Sequence, residues 1–342
     1  MNKLFSYSVL CLLLLLAGCS SQSPGIGGDA VFGENKASME MRKAVSPLAE
    51  PLWIIQEGLQ GEAGLYAGVE ALPVKAIDMN VEIIEFLASV DISLTYLQVD
   101  SKEDLSFRYP SFIGMLVRDF QMKVGERRFR AVISEKESAE ALYKLAMERG
   151  FNAVVVSQKA FGEMVVKASL QEKSDIEILF SYTQLSSFTD QQRTIAFPEI
   201  KGMENADFNM EVKGRFLAPL KSFSGLNKKV SGNKFSEKTS DREILKGGLL
   251  IKYSLSELHG VSADKKTLLE WDAKSSNYRS LSPAKMQKYS LCDSELLKPA
   301  FEYLKLIEMF KKDRPFKEIE EHAVRSKLLT PITRLLLIDS AG

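Results

Sequence analysis

The stretch from Phe120 to Tyr182 constrains the fold most, because its hydrophobic period changes twice within one run. Phe120, Met122 and Val124 alternate with polar residues, Gly125-Glu126 offers a turn, and Phe129 to Ile133 predicts a returning strand rich in β-branched and aromatic residues. Ser134 and Glu137 then stand at capping-box spacing. The serine side chain would accept from the N3 amide while the glutamate reaches back, so a helix is expected to begin near Glu135. Ala139, Leu142, Tyr143 and Ala146 fall at i, i+3, i+4 and i+7, one apolar stripe, and Gly150 stands where a left-handed residue would end the helix. Phe151 to Val156, Met164 to Leu170 and Ile176 to Tyr182 return to strand character. One helix set among strands predicts an α+β class that is mostly antiparallel β.

The flanking chain extends this pattern. Val81 to Phe86, then Val90, Ile92, Leu94 and Tyr96, alternate with polar partners, which turns one face of each strand to a core. Phe107-Arg108-Tyr109-Pro110 follows a charged turn at Ser101 to Asp104. Beyond residue 200, Phe208-Met210-Val212, Leu249-Ile251-Tyr253-Leu255 and Leu268 to Trp271 predict further strands that extend or pair with the first set, separated by polar loops from Ser222 to Lys246. Ser294 to Ser326 is helical: Ala300, Leu304 and Ile307 make one stripe, Asp313 and Pro315 signal a new start, and Phe316, Ile319 and Ala323 make a second. The expected organisation is 1–18 leader, 19–46 flexible tether, 47–79 lead-in, 80–200 main domain, 201–290 β-rich extension and 291–342 helical segment with a last strand. The tether is Ser- and Gly-rich without apolar period. Its Gly25, Gly27 and Ala30 have a dinucleotide-fingerprint spacing, but no strand precedes them.

The leader has a short positive n-region at Lys3, an apolar core from Val9 to Leu16 too short for a permanent span, and then Leu16-Ala17-Gly18-Cys19. This resembles a bacterial lipobox. The resemblance implies a signal peptide cleaved before Cys19 and acylation of that residue by chains such as palmitate, leaving the mature lipoprotein tethered to the membrane by lipid. Ser20, with no Asp there, resembles lipoproteins passed on to the outer membrane, which predicts a cell-envelope protein facing the periplasm. Lys plus Arg equals Asp plus Glu at 45 each, so no global field would draw in nucleic acid.

The order VEIIEFLASVDISLTY, FRYP, VRDFQMKVGERRFRAVISEKESAEALYKLAMERGFNAVVV, a further strand, IEILFSYTQL and IAFP resembles the vault protein and inter-alpha-trypsin (VIT) domain. Gly125-Glu126-Arg127, Glu135-Lys136, Ala139, Tyr143, Gly150, Tyr182 and Leu185 sit at positions of that family's motifs. The resemblance covers residues 80–200 and implies a β-sandwich with one inserted helix. Two family turns differ, around Val99 to Asp104 and at Leu170 to Ser174. The ending LLTPITRLLLID is similar to the segment that follows the von Willebrand A module in VIT-containing proteins.

Chemistry-bearing residues are few. Asp91, Ser93 and Thr95 match the D-x-S-x-T of a von Willebrand A metal site, whose oxygen ligands suit Mg²⁺. Their alternation along a strand interior argues against the required loop, so no metal or other cofactor is expected. The sequence after Pro198 has neither the room nor the βα alternation for a complete A domain, so the usual A domain is expected to be missing there. His259 and His322 lie beside no nucleophile motif and are expected to be solvated or capping. Cys292 is a lone thiol whose pKa Asp293 would raise. Glu135, Glu137 and Glu140 suit helix capping and the macrodipole. Lys228, Lys229, Lys234 and Lys238 suit a solvated loop, with anionic lipid as the sharper alternative. These residues point to a non-enzymatic envelope module that binds or scaffolds another protein. The alternatives are the VIT half of a split system with a separate von Willebrand A partner, and a hydrolase of unrecognised type using β-region carboxylates.

Overall fold

The computed structural model describes residues 62–338 apart from 100–104, 111–114, 160–162, 170–172, 190–191, 227–229, 231, 258, 264–267, 273–276, 282–288 and 331–332. The lipobox Leu16, Ala17, Gly18 and Cys19, the tether, the first part of the lead-in, and Lys228 and Lys229 lie outside the described residues.

Two large sheets form the body. The first contains β1 (Glu62–Ala67), β2 (Glu70–Ala71), β5 (Leu105–Tyr109), β8 (Val132–Glu135), β9 (Ala153–Lys159), β10 (Glu163–Ser169), β14 (Glu199–Ile200) and β23 (Thr333–Ile338). Their order is β14-β1-β5-β10-β9-β23-β8, with β2 paired to β1. The second contains β3 (Ala76–Ile84), β4 (Leu87–Val99), β6 (Met115–Val124), β7 (Arg127–Arg130), β11 (Ser174–Leu185), β15 (Asp207–Arg215) and β17 (Lys234–Thr239), in the order β17-β15-β3-β4-β11-β6-β7. The sheets face each other across one core. Ile77, Met79, Val81 and Ile83 of β3 point inward at every second residue, and Phe107 of the first sheet meets Phe180 of the second edge-on at 5.8 Å. This is the expected mostly antiparallel β-sandwich. The parallel pairs β15–β3 and β1–β14 are exceptions within it.

At the core's centre the Tyr109 and Tyr182 hydroxyls lie 3.0 Å apart. Burial pushes both phenols above their usual range. Tyr182→Phe leaves the Tyr109 hydroxyl without this bond, and a cost of about 1–2 kcal/mol is expected in denaturant melts. Adding Tyr109→Phe should cost less than a second full increment, because it removes the stranded hydroxyl.

Two smaller sheets complete the β structure. One has β12 (Ser187–Thr189), β13 (Gln192–Phe197), β16 (Leu220–Ser224) and β18 (Leu249–Leu255); the other has β19 (Gly260–Ser262), β20 (Leu268–Asp272), β21 (Asn277–Leu281) and β22 (Tyr289–Leu291). Three helices are described: α1 (Lys136–Glu148), α2 (Ser294–Lys311) and α3 (Phe316–Arg325). Helix α2 is capped by Asp293, whose carboxylate accepts from the Glu295 N–H at 2.9 Å. It covers the outer face of the second sheet at one end. There the alternation in the strands stops, and Ile84, Leu87, Leu116 and Leu185 join Leu296, Leu297 and Ala300 in a second core. Adjacent apolar pairs such as Ile83-Ile84 and Leu87-Ala88 mark strands buried on both faces.

Three local expectations change. The run from Phe129 to Ile133 is not one strand: β7 pairs with β6 in the second sheet, Ala131 intervenes, and β8 pairs with β23 in the first. The polar stretch from Ser222 to Lys246 holds most of β16 and all of β17. Three of the five β16 residues and three of the six β17 residues are exposed, so the polarity of the stretch resembles that of a loop. The capping box does not form. Ser134 is committed to the β8–β23 ladder opposite Arg334, and Glu135 caps α1 without a side-chain hydrogen bond.

Candidate functional site

Helix α1 carries Lys136, Ala139 and Tyr143 of the family motif and is flanked by Glu135 and Gly150, whereas Gly125-Glu126-Arg127 lie at the β6–β7 turn and Tyr182 lies on β11 in the sandwich core. Gly125 turns β6 into β7 with φ +56°, and Gly150 ends the helix with φ +72°. The Gly150 N–H donates to Met147 O and the Phe151 N–H to Ala146 O, each at 3.0 Å, which is the paired bonding of a Schellman end. The expected stripe is only half buried. Ala139 and Ala146 are enclosed, Tyr143 is half-buried, and Leu142, Leu145 and Met147 are 36%, 39% and 37% exposed. Small residues on the inner face bring the backbone down onto β9 and β23, which lifts the larger ones out of the core. Arg334 of β23 reaches Glu140 of α1 at 3.5 Å, so Glu140 tethers the last strand rather than serving the helix terminus alone.

A second constellation surrounds the turn between β3 and β4. Glu85 occupies it with φ +55° and is fully buried. One carboxylate oxygen accepts from the Leu217 N–H and the Ser290 hydroxyl, each at 2.7 Å; the other has no hydrogen-bond partner among the described residues. Its backbone carbonyl accepts from the Tyr253 hydroxyl at 2.7 Å. The next residue, Phe86, lies under the Arg193 guanidinium, which sits between the Phe86 and Phe188 rings at 5.3 and 5.0 Å. Arg193 also donates to the Ser186 and Tyr278 hydroxyls. The hairpin turn of the large sandwich is thus seated in a polar socket supplied by both small sheets. Burial raises the Glu85 carboxyl above its ordinary pKa, while its hydrogen bonds and the charges of His259 and Arg193 act in the opposite direction.

Sequence reasoning missed this socket. The signal for Glu85 was a lone carboxylate inside Ile83-Ile84-Glu85-Phe86-Leu87-Ala88, and that for Arg193 was its parity with inward Ile195 and Phe197.

The other singled-out residues fall apart in space. Asp91, Ser93 and Thr95 lie along the outer face of β4, with Asp91 accepting from Arg118 at 3.2 Å and Ser93 donating to Glu177 at 3.1 Å. Among the described residues no cluster of three His, Cys, Asp or Glu is placed to hold a metal. Of the two readings expected for the histidines, solvated or capping, the solvated one does not hold for either ring. The His259 side chain is 9% exposed and lies 3.6 Å from Glu257; His322 is buried between α2 and α3, 3.3 Å from Glu302. Cys292 is packed, and its thiol is pushed up to about 12 chiefly by burial, with Asp293 a smaller contributor than the sequence suggested. Lys238 of β17 pairs with Glu211 at 3.6 Å.

Comparison with known proteins bears on the sandwich. No curated protein matches the chain. Among solved structures, it is similar to a Legionella pneumophila protein described as nutrient-binding (10% identity, 56% of this chain and 70% of that one, TM-score 0.30). Another is Legionella pneumophila aminopeptidase A in complex with aspartic acid (10% identity, 57% and 23%, TM-score 0.27). The model of the Vault protein inter-alpha-trypsin domain matches residues 74–182, the span from the approach to β3 through Tyr182. Those residues include the hairpin that carries Glu85, the Gly125 turn, α1 and the Tyr109–Tyr182 pair, and they identify a VIT domain within the chain.

Proposed function

We propose that this protein is a non-enzymatic, lipid-anchored envelope module that binds another envelope protein through the exposed flank of α1. The observation that carries the reading is the helix surface: Leu142 and Leu145, three residues apart and on one flank, each keep more than a third of their surface in water on a helix seated through alanines. A VIT domain suggests a protein-interaction module, and the VIT resemblance makes a separate chain with a von Willebrand A domain the favoured partner class. The lipobox at Cys19 supplies the anchor and an outer-membrane location facing the periplasm.

Two variants test this. Leu142→Glu with Leu145→Glu is expected to leave the melting temperature within about 2 °C, since both sites are exposed, and to abolish recovery of the partner in envelope pull-downs. Undiminished recovery would sink the contact assignment. Cys19→Ser should abolish acyl labelling and membrane retention; retention of both refutes the anchor.

A further inference from the structure

A groove of about 580 Å³ runs between β21 and α2, far in sequence from the VIT domain. It lies within the size range of ligand sites. Tyr278, Phe301, Leu304 and Ile307 give it an apolar floor, and β21 is the outermost strand of its sheet. Its lining spans Phe301 to Lys311, about 15 Å along the helix axis, the length of four or five extended residues.

The charges at its rim are unevenly committed. Glu302 accepts from the Ser326 hydroxyl at 3.0 Å and faces His322 at 3.3 Å. Glu308 is held by Lys312 at 2.6 Å, which also draws its carboxyl below the usual range. Arg279 is engaged by Glu270. Lys305 and Lys311 line the same groove, are exposed and have no such partner among the described residues. Glu308 is balanced by Lys312 and Glu302 is engaged by the Ser326 hydroxyl, whereas the two lysines in the lining have no partner of their own among the described residues, so the uncommitted cations are what the groove offers a ligand.

We propose that this groove binds an extended acidic peptide segment of a partner protein, with apolar side chains set on Phe301 and Leu304 and carboxylates facing Lys305 and Lys311. An open trough flanked by an edge strand matches an extended chain, as in other strand-and-helix recognition grooves. The site goes beyond the α1 contact and is separable from it.

The test uses fluorescence anisotropy of the whole protein with a labelled Asp-Leu-Glu-Phe-Asp peptide and its Lys-Leu-Lys-Phe-Lys counterpart. The acidic peptide alone is expected to bind, and binding should weaken about tenfold in the K305E/K311E double variant and on raising the salt from low to high concentration. Leu304→Ser should weaken it comparably without unfolding, since Leu304 is only half-buried; a circular-dichroism melt checks the fold. Equal binding of both peptides, no binding of the acidic one, or indifference to K305E/K311E overturns the proposal. So does charge-dependent binding of dodecanoate in place of the peptide. The L142E/L145E variant should bind the peptide normally, so loss of α1 function and failure of the groove give different results.

Discussion

Deleting the chain from Thr333 onward is expected to unfold the sandwich, although the deletion lies far in sequence from the VIT domain. Strand β23 is inserted between β9 and β8, pairing Leu335 with Val156 on one side and with Ile133 on the other. Among the described residues β8 has no other strand partner, so its loss also releases the chain that leads into α1. Leu335 and Leu337 belong to the sandwich core, and losing two core leucines costs roughly 2–5 kcal/mol each. Together with the lost ladder and the Arg334–Glu140 pair, this is comparable with the about 5–15 kcal/mol that holds a typical domain folded. The preceding segment clamps the strand's entry: the Thr333 hydroxyl donates to Leu328 O at 2.7 Å and accepts from the Thr330 N–H at 2.9 Å. Far-ultraviolet circular dichroism and hydrogen exchange would read the outcome, with exchange protection in β8, β9 and α1 lost. Protection there that survives the deletion would show that the VIT strands close without β23.

The second large effect belongs to Glu85. Its folded pKa is raised above the unfolded value, so the stability it contributes is fully present below the unfolded carboxylate range and is lost as pH rises through the raised folded value. Glu85→Gln keeps an oxygen for the Leu217 N–H and the Ser290 hydroxyl and removes the buried charge. Melts of this variant should show a flatter loss of stability from acid to neutral pH and, at neutral pH, a midpoint equal to or above that of the parent. Glu85→Ala strands both donors instead, at about 1–3 kcal/mol each, and should destabilise at every pH. A parallel pH profile in Glu85→Gln and parent would show that other groups carry the dependence.

Much of the VIT domain was legible because its signals are local. The 3.6-residue period of α1, the turn at Gly125 and the stop at Gly150 each depend on a few adjacent residues, and the structure keeps all three. What failed depended on distant partners. The residues of β8 continue those of β7 in pattern and separate only because β23 arrives some two hundred positions later, a pairing no local period encodes. The same pairing takes Ser134 from its expected cap. The nine-residue parallel ladder of β15 with β3 was equally hidden, although both strands alternate cleanly. His322 lies on a helix that looks polar in sequence, yet the α2–α3 packing encloses its ring. Glu85 stood out as a charge within an apolar run, but an inward carboxylate needs the socket of two later sheets to make sense.

The contact proposed for the outer flank of α1 is with a specific partner in the envelope. A photocrosslinking amino acid at Leu145, activated in intact cells and followed by mass identification, tests it most directly, with the same group at Lys213 on the exposed face of β15 as control. One discrete adduct from Leu145 and none from Lys213 is the predicted result. No adduct from Leu145, or the same ladder from both positions, would contradict it.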